Sequence, residues 1–252
     1  MKMRHLSFLM LLLVLPLPNL AFPIEDSYLD KTTQKALQND HSLNQVASVN
    51  AAVRGLQIVV KRLEPKGIID LDKEIVQHAQ ELGFTTGTEG ARLRQDAFPI
   101  YEVGLKDLRD FTPEKGANNL LTDTHQLLFP VEVKSEVKSS VTVRSTTNQT
   151  QGIGQTDRTK EWRPTRWGLP KLIVHLTTEQ KRLNERLPGL KGFRLVSIPS
   201  LNRNFLGYED NADLKLVPLV SDHLFTAGKP LSTREVFLSL IPEAKSVDGS
   251  PR

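Results

Sequence analysis

FPVEVKSEVKSSVTVR, residues Phe129 to Arg144, alternates almost without fault. Its odd positions are Phe129, Val131, Val133, Ser135, Val137, Ser139, Val141 and Val143, and its even positions are Pro130 followed by charged and hydroxyl side chains. A period of two is that of a β-strand with one face for a core and one for water. Laid out straight, the stretch would run for roughly 53 Å, well beyond the usual strand of about five or six residues. A bend or bulge is therefore expected around Lys138-Ser139-Ser140, with one continuous twisted strand as the alternative. Pro130 has no N–H for a ladder, so its N side belongs at a strand's beginning or facing outward.

Beyond this stretch, Ser145 to Glu161 is polar except for Ile153 and reads as a long loop. Trp162-Arg163-Pro164-Thr165-Arg166-Trp167-Gly168 closes it and holds both tryptophans of the chain. Lys171 to Leu176 alternates as a short strand, although Leu169, Leu172, Ile173 and Leu176 also fit a helix. Thr177 followed by Gln180 is a capping-box pattern and places a helix start at Thr177, with Leu183 and Leu187 on its buried side and Pro188-Gly189 at its end. Phe193–Ile198 and Asp213–Val220 read as antiparallel strands, with Asn204-Phe205-Leu206 between them. Ser232-Thr233-Arg234-Glu235 is a full capping box. It opens a final helix that buries Val236, Phe237, Leu240 and Ile241 and stops at Pro242.

Towards the N-terminus, Val46, Val49, Val53, Leu56, Val60 and Leu63 form one stripe of an amphipathic helix. Gly55 weakens that helix, and Ile58-Val59-Val60 is readable instead as a short strand. A second helix is expected from Asp72 to Leu82, ended by Gly83. Phe84–Ala97 and Glu114–Thr124 read as loops, with Tyr101, Val103 and Leu105 as a short strand between them. The expected class is α+β, a mainly antiparallel sheet with flanking helices, preceded by a helical N-terminal region. Its divisions are a signal peptide over 1–21, the helical region over 22–98, the sheet domain over 99–245 and a polar tail over 246–252.

Lys2 and Arg4, the apolar run Leu6–Leu15 and the helix-breaking Pro16 and Pro18 make residues 1–21 resemble a secretory signal, with cleavage after Ala21. A ten-residue apolar helix spans about 15 Å, roughly half of a hydrocarbon core. Retention as an anchor is the alternative. Cysteine is absent, so an exported chain of this kind relies on its core rather than on disulfides, which points to a bacterial envelope protein in the periplasm or outside the cell. The 252 residues are 38% hydrophobic and 25% charged, with a net charge of +4 that falls to +2 without Lys2 and Arg4. That excess is too small to argue for nucleic acid as a partner.

Most catalytic signatures fail. There is no cysteine nucleophile, Gly-x-Ser-x-Gly elbow, His-Glu-x-x-His or Gly-Lys-Ser/Thr loop, and no two of the six histidines have metal-ligand spacing. Ser135-Glu136-Val137-Lys138 matches the Ser-x-x-Lys of penicillin-recognising acyl enzymes. In those enzymes both residues share a helix face, whereas a strand puts residues three apart on opposite faces. Glu209, Asp210 and Asp213 fit a solvated hairpin loop better than a cation site. No cofactor or metal is expected. Trp162, Arg163, Arg166 and Trp167 form the best ligand-binding candidate, two indoles beside two guanidiniums. The competing interpretation has the tryptophans anchoring the loop to the sheet. The residues thus point to an exported, non-catalytic module that binds an envelope protein or glycan, with a hydrolase of envelope material as the alternative.

Overall fold

The computed structural model describes residues 43–63, 79–84, 90–147, 160–211 and 213–247. The signal segment, most of the second expected helix and the polar tail lie outside the described residues. The chain orders helix α1 (Leu43–Leu63), strands β1 (Arg92–Leu93) and β2 (Phe98–Val103), helix α2 (Leu105–Arg109), strands β3 (Leu121–Val133), β4 (Glu136–Thr147) and β5 (Lys160–Trp167), and helix α3 (Pro170–Arg186). Strands β6 (Lys191–Ile198), β7 (Arg203–Asp210), β8 (Asp213–Pro218) and β9 (Leu231–Ser232) and helix α4 (Thr233–Ser246) follow. The class is α+β. Among the described residues, nine strands form one sheet in the order β5-β4-β3-β2-β6-β7-β8-β9, with β1 also on β3, and every pairing is antiparallel except β2 with β6.

The alternating stretch is neither one strand nor a strand bent at Lys138. It is a hairpin, with β3 already begun at Leu121 and the reversal at Lys134 (φ 52°) and Ser135 (φ 65°). Two consecutive residues with positive φ are the type I′ geometry that suits the twist of paired strands. Such a turn pairs Val133 with Glu136 and Glu132 with Val137, an odd position with an even one. Left alone, it would send Val141 and Val143 to the face opposite Phe129 and Val131. A bulge at Lys138 corrects this: Val131 faces Ser139, and Phe129 faces Val141. The bulge sits where a break was expected, but its role is to restore the parity that the turn reverses.

Alternation then sorts the core into two layers. Leu128, Phe98, Leu195, Leu206 and Val217 pack with Ile173, Leu176 and Leu183 of α3 on one face. On the other face, Phe129, Val131, Val141 and Val143 pack under Val49, Val53, Leu56 and Val60 of α1. At its far end that face receives Val196, Ile198, Phe205 and Leu216 against Val236, Phe237 and Leu240 of α4. Phe111, just after α2, meets Phe237 edge to face with ring centroids 5.8 Å apart, a favourable aromatic geometry.

Several local expectations are corrected. Lys171–Leu176 is helical, because α3 starts at Pro170, which is pre-set for the first helical position after the left-handed Leu169 (φ 60°). Thr177 is consequently inside the helix, and its hydroxyl donates to the carbonyl of Ile173 at 2.9 Å rather than capping an end. Arg92–Leu93 adds a short strand within the expected loop Phe84–Ala97. The Ser232 capping box is present, with Glu235 N donating to Ser232 Oγ at 3.2 Å and Ser232 N to Glu235 Oε2 at 2.7 Å. Pro242 does not stop α4, which continues to Ser246. Ala79–Glu81, the described end of the second expected helix, is helical, and Gly83 follows it with φ 89°.

Candidate functional site

The Trp162–Trp167 segment is an edge strand rather than the end of a loop. Pro164 is tolerated because, among the described residues, β5 has a strand on one side only and because Thr165 is bulged out, with Thr142 opposite Arg166 and Val143 opposite Pro164. The bulge lets Trp162, Pro164 and Trp167 all face α1. Trp162 and Trp167 pack half-buried on the α1 cluster, and Trp167 Nε1 donates to the carbonyl of Gly55 at 2.9 Å. Gly55 is where α1 comes nearest: a Cβ there would lie 2.9 Å from Val141 Cγ1 and 3.0 Å from Pro164 Cβ. The helix-weakening glycine is thus the point at which helix and edge strand touch. Trp162 Nε1 is buried with no hydrogen-bond partner.

The arginines point the other way. Arg163 lies directly across from Arg144, and Arg166 across from Thr142, so the register puts three guanidiniums on the face opposite α1. All three residues are exposed. Arg163 forks onto the carboxylate of Glu161, at 3.0 Å from Nε and 2.9 Å from Nη2, and this contact raises the Arg163 pKa. Strand spacing places Arg144 about 5 Å from Arg163 across the sheet and about 7 Å from the Arg166 row along it. Gln126 of β3, opposite Arg144, and Thr146, opposite Glu161, complete the surface. Arg163 and Arg166 were legible as candidates, whereas Arg144 was not, because only the register brings it to them.

Two concave surfaces lie elsewhere. A groove of about 790 Å³ separates the β3–β4 turn from α3 and is lined by Arg94, Asp96, Glu132, Glu136, Lys181 and Glu185, among others. Arg94 is already engaged by Asp96 and, at 3.6 Å, by Glu132. A cleft of about 540 Å³ between the start of α3 and the ends of β7 and β8 contains Lys171, His175, Asn202, Arg203, Asn204 and Asp222. Burial pushes the Asp222 carboxyl up, but N–H donation from Leu224 and Phe225 and the Arg203 guanidinium outweigh it, so the pKa lies below the ordinary value. Arg203 also holds Glu243 at 2.7 Å and lies over the Phe225 ring. Asp222 is therefore a charged structural partner of Arg203, not a raised general acid. Among the described residues, the cleft lining contains a histidine but no serine, threonine or cysteine, and the groove lining contains hydroxyls but no histidine.

Among the described residues no group of three or more His, Cys, Asp or Glu side chains gathers to hold a metal. Glu209 is paired with Arg194, and Asp213 lies 3.9 Å from Lys215 at the β7–β8 turn. No described helix is long and apolar enough to cross a membrane. No protein-family model, no curated protein and no solved structure matches the chain.

Proposed function

We propose that the protein is an exported bacterial envelope module that binds a partner protein or glycan outside the cytoplasm without transforming it. The observation that carries this is the β4–β5 face, where Arg144, Arg163 and Arg166 stand exposed on a strand pair whose opposite side is fixed to α1 by Trp162 and Trp167. The indoles position the strand and the guanidiniums offer donors. Glu161 already offsets the charge of Arg163 opposite Arg144, so an anionic partner is met chiefly by the exposed Arg144 and Arg166. Export rests on the basic start and apolar run of residues 1–21, and the bacterial assignment on the absence of cysteine in an exported chain.

The test is to express the full chain in a bacterial host, fractionate the cells, and sediment the purified protein with isolated cell envelopes. The protein is expected outside the cytoplasm and in the envelope pellet, and replacing Arg144, Arg163 and Arg166 together with Gln is expected to leave it in the supernatant. Accumulation of the natural chain in the cytoplasm, or equal sedimentation of the triple variant, overturns the proposal.

A further inference from the structure

Resting on that binding role, we infer that the β4–β5 face takes a carboxylate-bearing polysaccharide. Three features select this class. The first is chemical: Arg163 already grips a carboxylate, that of Glu161, through two N–H···O bonds, from Nε and from Nη2. Arg144 and Arg166 present the same fork to solvent on the same face. A chain carrying carboxylates along its length finds repeated docking points there.

The second is shape. Among the described residues, Arg144, Arg163 and Arg166 line neither the groove nor the cleft described above. All three are exposed on the β4–β5 pair, with Gln126 and Thr146 beside them as further hydrogen-bonding groups, although Thr142 opposite Arg166 is buried. A small ligand needs enclosure, whereas a linear polymer reaches useful affinity by laying many weak contacts along an open track. The third is what the face lacks. Protein interfaces centre on buried aromatic and apolar anchors, but the two indoles of β5 are turned to α1 and the outward side chains are polar or charged. The surface suits a hydrated polyanion better than a folded protein.

The test measures binding of the full chain to polygalacturonate, to the same polymer with its carboxylates methyl-esterified, and to single-stranded DNA, at low and physiological salt. Polygalacturonate is expected to bind, more weakly as salt rises. The esterified polymer is expected to bind at least tenfold more weakly. The variant R144Q/R166Q is expected to lose at least tenfold of the polygalacturonate affinity with an unchanged melting temperature, because both positions are exposed. Equal binding of the esterified polymer, tighter binding of DNA, or an unaffected R144Q/R166Q variant overturns the assignment. Binding to isolated envelopes without binding to polygalacturonate defeats this assignment alone and leaves the broader role standing. Loss of both defeats the two together.

Discussion

Trp167 donates its indole N–H to the carbonyl of Gly55 at 2.9 Å, so an edge strand and the N-terminal helix meet at a residue without a side chain. The helix itself would prefer alanine there by about 1 kcal/mol. The interface forbids it, because a Cβ would press on Val141, which is β-branched and buried, and on Pro164, whose ring does not rotate away. Overpacking of this kind costs about 1–3 kcal/mol. Gly55→Ala is therefore expected to destabilise the protein by about 1 kcal/mol net, read as a lower urea midpoint at unchanged slope. A midpoint equal to or above that of the parent chain would show that the contact is looser than described.

How much of this was legible in the sequence depends on range. The α1 stripe and the Ser232–Glu235 box act within a few residues, and both appear in the structure where they were read. The hairpin was hidden for a specific reason. A two-residue turn and a one-residue bulge each reverse parity, so together they leave the odd–even pattern of Phe129–Arg144 unbroken. Lys134 and Ser135 lack the Asn-Gly chemistry that normally marks such a turn. At the candidate site, Arg163 and Arg166 stood out by proximity to two tryptophans. Arg144 joins them only through pairing across the long connection between β4 and β5, which no local pattern encodes.

The same turn yields a second prediction. Lys134 and Ser135 both adopt left-handed backbone, which costs a residue with a Cβ about 1 kcal/mol or more. Asn tolerates that region and Gly occupies it freely. The double replacement Lys134→Asn with Ser135→Gly is expected to raise stability by about 1–2 kcal/mol and to leave the β3–β4 register unchanged. Thermal melting checks the first outcome, and amide exchange of β3 and β4 checks the second. A lower melting temperature would mean that contacts of Lys134 or Ser135 outweigh the backbone strain.

Arg109 supplies a third. Pro242 removes one backbone donor inside α4, yet the helix continues for another turn. Arg109 Nε donates to the carbonyl of Ala244 at 2.8 Å, and its Nη2 donates to that of Val247, so the helix end is held by a side chain from α2. Arg109→Ala is expected to cost about 1–2 kcal/mol, since two carbonyls lose a charged donor. Amide protection should fall in the last turn of α4 before it falls elsewhere. Uniform loss across the sheet, or no loss at Ala244–Ser246, would contradict the capping role.

Asp222 supplies the last, through pH. Its folded-state pKa lies below the ordinary value, because the N–H groups of Leu224 and Phe225 and the Arg203 guanidinium favour the carboxylate and outweigh the opposing effect of burial. A depressed folded pKa means that the unfolded chain binds the proton more readily, so stability rises with pH across the window between the two values. The contribution of Asp222 is fully present above the unfolded value of about 3.9, and it is lost as pH falls through the lower folded value. Asp222→Asn keeps an oxygen acceptor for the two N–H groups but removes the charge facing Arg203. The variant should therefore be less stable than the parent near neutral pH, and the difference should shrink steadily below about pH 4. Urea midpoints of both proteins from pH 7 down to pH 2 measure it, and a difference that stays constant across that range would show that the Arg203–Asp222 contact carries no charge-dependent stability.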